Sequence, residues 1–193
     1  MFKYCPSCSS EKISFNEGKF FRCPDCDFIY FHNIAAANGC LIIVPDNPAQ
    51  LSSDNNHNER ILFLVRNREP GKGKLDLPGG FVDVGEGIFE GLYREMKEEL
   101  NWTPPVPEGG SLCDIFKLLA SFSNVYKYKN IDYNTCDMYF TIQAPGLKIE
   151  DLQIEEDEIK SAVLLKPEEI DLEKLAFTST RKAVEVYLNK KFK

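Results

Sequence analysis

The sequence has no long apolar run. None approaches the roughly 18 residues needed to cross a bilayer, which excludes a membrane-spanning reading. Its opening, MFKYCPSCSS, lacks the apolar stretch of a secretory signal, so a cytoplasmic protein is expected. It has no excess of base: 23 Lys and Arg face 30 Asp and Glu, for a net charge of −7. That balance argues against a non-specific binder of nucleic acid or acidic lipid. Histidine is scarce, and neither His32 nor His57 shows a partner pattern; His57 falls in a polar loop and is expected to be exposed. Repeats and low-complexity segments are missing too. The seven cysteines form an odd total without an export signal, which does not read as a disulfide framework.

What is present fits one medium domain with a small appendage, since 193 residues with 43% apolar side chains can bury a real core. Residues 1 to about 31 read as a separate unit, with two short strands around Asn16-Glu17-Gly18. That unit is too short for a core of its own and needs a staple. Strands are expected at Asn38–Val44 and Arg60–Arg66, flanking the polar loop PDNPAQLSSDNNHNE. The segment NREPGKGK is a loop rich in Gly and basic residues, and short extended pieces surround the turn at Gly79-Gly80. Gly87 to about Asn101 reads as a helix stopped by Pro104 and Pro105. Leu112–Ser123 and Cys136–Ala144 read as strands joined by a polar, tyrosine-rich loop. Ile159–Leu165 follows as a strand, PEEI opens a short helix, and Thr178 to about Lys190 closes the chain as a helix N-capped by Thr178 or Ser179. Strands mixed with a few helices indicate α/β or α+β layers.

Four of the cysteines are paired, as CPSC (Cys5, Cys8) and CPDC (Cys23, Cys26). Two C-x₂-C turns at this separation match a four-thiolate structural zinc site; the alternative is free thiols in loops. A four-Cys site has no open coordination position, so its role is structural. Residues 1–30 carry Lys3, Lys12, Lys19 and Arg22 against Glu11, Glu17, Asp25 and Asp27, a balance of zero. A zinc tetrathiolate adds about −2. A DNA-binding ribbon should be basic, so a packing or dimerisation module is expected, and with it a possible homodimer.

Glu95, Glu98 and Glu99 fall at i, i+3 and i+4 of the expected helix and share one face. Like charges so placed repel, and they gain a purpose if they hold hard divalent cations, which want oxygen ligands and often carry phosphates. Arg94, four residues before Glu98, can orient it. The Gly79-Gly80 turn lets backbone approach ion and phosphate without a Cβ in the way. A solvated acidic helix face is the plainer reading of E-x-x-E-E alone.

The wider pattern is more specific. Gly80, five residues, Glu86, seven residues, Arg94-Glu95-Met96-Lys97-Glu98-Glu99, then Leu100-Asn101-Trp102 closely resembles the Nudix box, G-x5-E-x7-R-E-U-x-E-E-x-G-U, with U apolar. Asn101 stands where the family has Gly, at a helix end where Asn is the next-best left-handed cap. The resemblance implies an α/β fold, a Nudix-type α/β/α sandwich with a mixed sheet over residues 35–193, preceded by a zinc ribbon over residues 1–34. It implies Mg²⁺ or Mn²⁺ held by Glu95, Glu98 and Glu99 near the Gly80 backbone, with Glu86 and Arg94 bracing the loop and helix. DEIKSAVLL resembles the family's acidic-Ile-x-x-Ala segment, and Glu158 is the matching residue, as a further ligand or as base. Trp102 would be the box's final apolar position, packed under the helix.

An N-terminal four-Cys ribbon before such a domain is similar to the NADH pyrophosphatase branch, which also removes NAD caps from RNA. That branch's Ser-Gln-Pro-Trp-Pro-Phe-Pro run is absent; the region reads SFSNVYKYKNIDYNTCDMYF, so nicotinamide specificity does not carry over. Asn124, Tyr126, Tyr128, Tyr133 and Asp137 could contact a nucleotide, Tyr by stacking and Asn or Asp by hydrogen bonds, or the rings could pack on the core. The resemblance implies hydrolysis of a small-molecule nucleotide, a nucleoside diphosphate linked to another moiety such as NADH or ADP-ribose. The alternatives are a non-catalytic ligand sensor, which often loses box carboxylates that this chain keeps, and an enzyme acting on capped RNA, against which the acidic charge counts.

Overall fold

The computed structural model describes residues 2–46 and 58–191, so the expectation for His57 lies outside the described residues. The chain forms two compact units, Met1–Ile34 and Ala35–Lys193.

In the first unit, strands β1 (Ser14–Asn16), β2 (Phe20–Arg22) and β3 (Ile29–Phe31) form an antiparallel sheet in that order. The β1–β2 turn closes with Glu17 and Gly18 both at positive φ. The third strand was not foreseen, because three residues carry too little periodicity to stand out. Each Cys pair ends in a left-handed residue, Ser9 (φ 61°) after Cys8 and Asp27 (φ 56°) after Cys26. The backbone N–H of Cys5 donates to Ser10 O, and that of Cys23 to Phe28 O, both at 2.9 Å. Such turning back aims both sulfurs of a pair inward. His32 lies edge-on to Phe15 and Phe21.

The second unit is built on a mixed sheet. Its strands are β4 (Ala35–Pro45), β5 (Glu59–Arg66), β6 (Leu75–Asp76), β7 (Lys117–Tyr128), β8 (Ile131–Gln143) and β9 (Ile159–Leu165). The order is β6-β5-β4-β8-β7, with β9 also on β5; β4 and β8 run parallel and the other pairs antiparallel. Helices are α1 (Ile88–Leu100), α2 (Leu112–Ile115) and α3 (Thr178–Lys191). Alternation along the strands separates two cores. Cys40, Ile42, Leu62 and Leu64 face Leu92, Met96 and Leu100 of α1. Leu41, Ile43, Ile61 and Phe63 face Ala183, Val184 and Tyr187 of α3. A sheet between two helical layers follows, the expected sandwich. Among the described residues no helix is long and apolar enough to cross a membrane.

One departure from regularity positions the site. β4 pairs with β5 only over Ile43–Pro45, and the other part of the same edge of β5 pairs with β6 through Leu64 and Val65. The strands therefore diverge, and the chain from Leu75 to Val82 fills the wedge. It bonds to β4 through Asn38 N–H to Gly80 O (2.8 Å), Cys40 N–H to Pro78 O (2.9 Å) and Val82 N–H to Ala36 O (3.0 Å).

α1 ends as expected. Asn101 takes the left-handed conformation (φ 46°) and its N–H donates to Lys97 O at 3.0 Å, and Trp102 packs against the core on the α1 side. Three expectations are corrected. Leu112–Ile115 is a helical turn with a Ser111–Asp114 capping box, so the strand begins only at Lys117. The tyrosine-rich "loop" is the outer half of the β7–β8 hairpin, turning at Lys129 and Asn130. Its aromatic and β-branched residues favour the extended chain, although Val125, Tyr128, Ile131 and Tyr133 remain exposed. Neither Thr178 nor Ser179 caps α3: both are already helical, and the first turn closes from Arg181 N–H to Phe177 O at 3.0 Å.

α3 is tied back to β5 by a buried cluster. The Tyr187 hydroxyl donates to Glu59 Oε1 at 2.5 Å, and Lys191 Nζ donates to Glu59 Oε2 at 3.0 Å. Glu59 is only 3% exposed, so it depends on both donors. Tyr187→Phe is expected to cost about 1–3 kcal/mol, the penalty for leaving a buried acceptor short of a partner. Urea denaturation checks this, and an unchanged midpoint would contradict it.

Candidate active site

α1 presents its carboxylates beside the wedge segment. The Gly79 N–H donates to Glu99 Oε2 at 3.0 Å, and the Gly80 N–H donates to Asn38 Oδ1 at 3.2 Å. The two glycines are not equally required. Gly79 sits at φ +143°, and a Cβ there would stand 2.4 Å from Asn38 O. A Cβ on Gly80 would stand 2.4 Å from Glu95 Oε1. Backbone cannot give way as the end of the Glu95 side chain can, so close approach of helix and turn depends chiefly on Gly79.

Arg94 is the hub. Its Nε and Nη2 donate to the two oxygens of Glu86 (3.1 and 2.7 Å). Its Nη1 reaches Glu95 Oε1 (2.9 Å) and Glu98 Oε2 (3.0 Å), and Nη2 also reaches Phe81 O (3.0 Å). Glu86 accepts in addition from the Asp83 N–H at 2.8 Å. The fork thereby fixes loop 81–86 to the helix. Arg94's bonds, with the Asp83 N–H second, hold the Glu86 carboxyl below its usual range.

Electrostatics separate the three helix acids. Burial pushes Glu99 well up; the Gly79 N–H opposes this, while Glu95, Asp76 and Glu158 add to it. Burial also raises Glu95, against the pull of Arg94. Glu98 is 57% exposed and turned to Arg94. Mutually repelling, partly buried carboxylate oxygens suit a hard divalent cation, which would supply the missing positive charge, so the donor set fits Mg²⁺ or Mn²⁺.

These groups border a cleft of about 210 Å³. It gathers Glu95, Glu99, Glu158, Gly79, Gly80, Asn124, Tyr126 and Asp137 of the residues singled out from the sequence. Glu98, Tyr128 and Tyr133 do not line it; the two tyrosines lie on the outer hairpin and are largely exposed. Asp137 is part of the lining, but its oxygens already accept from Thr135 Oγ1 (2.5 Å) and Ser179 Oγ (2.6 Å). The Tyr126 ring is held edge-on to Phe81 (5.4 Å) and tilted against Phe177 (5.6 Å). The latter gap is too small to admit a base between the rings, so a base would stack across them.

The structure adds residues that the sequence did not single out. Arg66, Arg68, Asp76 and Phe177 all line the cleft. Arg66 Nη1 donates to Asp76 Oδ2 at 3.0 Å, and its guanidinium lies 4.9 Å from the Phe177 ring centre. Thr180 Oγ1 donates to Asp76 Oδ1 at 3.1 Å and stands 3.1 Å from the Tyr139 hydroxyl, which donates to Ser179. A buried polar chain thus runs from Arg66 to Asp137. The one available signal was the cluster of basic residues in an otherwise acidic sequence.

The second candidate metal centre is in the N-terminal unit. Cys5, Cys8, Cys23 and Cys26 bring their sulfurs within 4.8 Å of one another, with Cys5–Cys26 and Cys8–Cys23 at 3.7 Å. A tetrahedral ion with Zn–S bonds near 2.3 Å separates its ligands by about 3.8 Å, so the sulfurs fit zinc. Their ionisation is uneven. Cys5 falls to about 7: burial opposes this, but the Cys8 and Ser7 N–H groups prevail. Cys8 rises to about 12: the Ser10 N–H pulls it down, but the neighbouring sulfurs and burial outweigh it.

The comparisons agree with this geometry. The NUDIX domain family model matches residues 52–186, and the chain belongs to the Nudix family. It is similar to an ADP-ribose pyrophosphatase from Methanocaldococcus jannaschii, with 38% identity over 78 residues, 40% of this chain and 38% of that protein. The match thus spans well under half the relative's length. Among solved structures, a NUDIX hydrolase from Nitrosomonas europaea aligns with a TM-score of 0.62 at 22% identity, over 98% of this chain and 92% of the other. The NUDIX domain of Shewanella oneidensis NrtR, complexed with ADP ribose, aligns with a TM-score of 0.59 at 16% identity, over 83% and 90%. These structural likenesses speak to the fold.

The Glu86–Arg94 brace carries a pH signature. A depressed carboxyl contributes stability above its unfolded value, near 4.5, and loses it as pH falls through the lower folded value. Glu86→Gln is therefore expected to lower the melting temperature at pH 7, with the difference from wild type shrinking toward pH 3. Thermal melts at both pH values check this, and an equal deficit at both would contradict it.

Proposed function

We propose that this chain hydrolyses the pyrophosphate of a nucleoside diphosphate linked to another moiety, with ADP-ribose the leading substrate, and releases a nucleoside monophosphate. The observation that carries it is the meeting, in one cleft, of Glu95, Glu99 and Glu158 with the Gly79-Gly80 turn, two arginines and an aromatic wall. The ADP-ribose pyrophosphatase relative supports the choice of substrate. The exposed hairpin tyrosines, Tyr128 and Tyr133, leave Tyr126 as the stacking residue.

Glu95, Glu98, Glu99 and Glu158 would hold Mg²⁺ or Mn²⁺, with Glu98 turning inward from Arg94; the metal would neutralise the diphosphate and acidify water. The chain's own groups do the rest. Arg94 fixes Glu95 in register with loop 81–86 and holds Glu98 until it turns inward. The turn leaves space for a phosphate beside the acids, and Tyr126 offers a face for the base. Water is the nucleophile in this reading. The hydroxyls nearest the helix acids in sequence, Tyr93 and Thr103, do not line the cleft. In the cleft, Thr135 and Thr180 are committed to Asp137 and Asp76.

A panel of ADP-ribose, NADH, diadenosine polyphosphates and capped RNA, with products identified by mass spectrometry, tests the assignment. AMP and ribose 5-phosphate from ADP-ribose are expected; binding without turnover would favour a ligand sensor. Glu98→Gln is expected to lower kcat by about two to four orders of magnitude, as loss of a group that stabilises developing charge does. Near-normal turnover in the folded variant would contradict the metal platform.

The four cysteines are assigned one structural zinc ion, since a unit this small needs a staple. Metal analysis of protein purified without added zinc is expected to give one zinc per chain. A folded N-terminal unit with no zinc would contradict it. A similarity to the NADH pyrophosphatase branch, and a homodimer joined through this unit, remain part of the same proposal.

A further inference from the structure

Among the described residues, only Arg66 and Arg68 bring positive charge to the lining of an otherwise acidic cleft. Their situations differ. Arg66 is 16% exposed and held in place, donating from Nε to Pro70 O (2.8 Å) and from Nη1 to Asp76, with its buried Nη2 left without a protein partner. Arg68 is 52% exposed and ion-paired with Glu158, itself 37% exposed. Glu158 lines the same cleft as Glu95 and Glu99. In the free protein Arg68 thus neutralises a carboxylate of the same cleft as the two acids of α1.

We propose that Arg68 is a positioning residue that exchanges partners: it holds Glu158 in the free protein and moves to the substrate diphosphate when nucleotide binds, releasing Glu158 to the divalent cation. The inference rests on the pyrophosphatase reading. Backbone contacts allow the exchange. Asn67 N–H donates to Glu158 O and Asn67 Nδ2 donates to Glu156 O, each at 2.7 Å. The two segments therefore stay joined when the side chains part. A half-exposed ion pair is screened and weak, whereas a diphosphate offers more charge and a bidentate match to the guanidinium.

The test reads two equilibria without turnover. Mn²⁺ alone is titrated by electron paramagnetic resonance, and α,β-methylene-ADP is titrated calorimetrically at saturating Mn²⁺. Wild type, Arg68→Gln, Glu158→Gln and the double variant are compared. In Arg68→Gln, Mn²⁺ binding is expected to tighten about two- to fivefold, the worth of a released exposed pair. The analogue should weaken roughly tenfold or more, as on loss of a charged hydrogen bond. In the Glu158→Gln background, Arg68→Gln should no longer tighten Mn²⁺. Opposite signs separate exchange from a structural role, which would weaken both. Equal shifts, no shifts, a tightening that survives Glu158→Gln, or a wild type that binds Mn²⁺ but not the analogue would overturn the proposal. Failure of the pyrophosphatase reading shows separately, as binding without hydrolysis of ADP-ribose.

Discussion

The Arg94 guanidinium is the constraint on which the rest of the site depends. One planar fork meets both oxygens of Glu86, one oxygen each of Glu95 and Glu98, and the Phe81 carbonyl. Three acids and a loop are thereby fixed to a single turn of α1. Lys could not replace it, since a point charge satisfies neither the bidentate geometry nor the number of acceptors. The spacing in the box follows from this: Glu86 must lie at the foot of the helix, eight residues before Arg94, to meet the fork while the helix acids stay one turn further on.

Divergence of β4 from β5 is the complementary requirement. If the two strands paired along their whole length, no room would remain for the Leu75–Val82 segment, and the Gly79 N–H would not reach Glu99. The wedge places backbone, not side chain, against the helix acids, and Gly at positions 79 and 80 keeps it close. The consequence is a buried, strained electrostatic balance, with Glu99 and Glu95 both pushed up. The proposed cation-binding role would account for it, since a chain built only for stability gains nothing by gathering acids there.

The legible part of this protein was local. The helix follows from spacing within some twenty residues, while its left-handed Asn101 cap and the bracing of Glu86 by Arg94 were implied by the resemblance to the Nudix box. What stayed hidden is set by distant pairing. Phe177 precedes a helix and has no pattern of its own; only the fold lays it beside Tyr126 and Arg66. The hydroxyl of Ser179 looks like a cap in sequence, yet its tertiary partner is Asp137, and that of Thr180 beside it bonds Asp76. The outer half of the hairpin was mistaken for a loop because its polar residues resemble turn formers until they are seen to alternate with aromatics.

The acids of α1, beside a glycine turn, are proposed to form a cation-dependent centre where water attacks phosphorus. Hydrolysis of ADP-ribose in ¹⁸O-water, with Mg²⁺ or with EDTA, tests it most directly. The account requires label in one of the two phosphate products and no reaction in EDTA. Full activity in EDTA, or label on a sugar carbon, would contradict it.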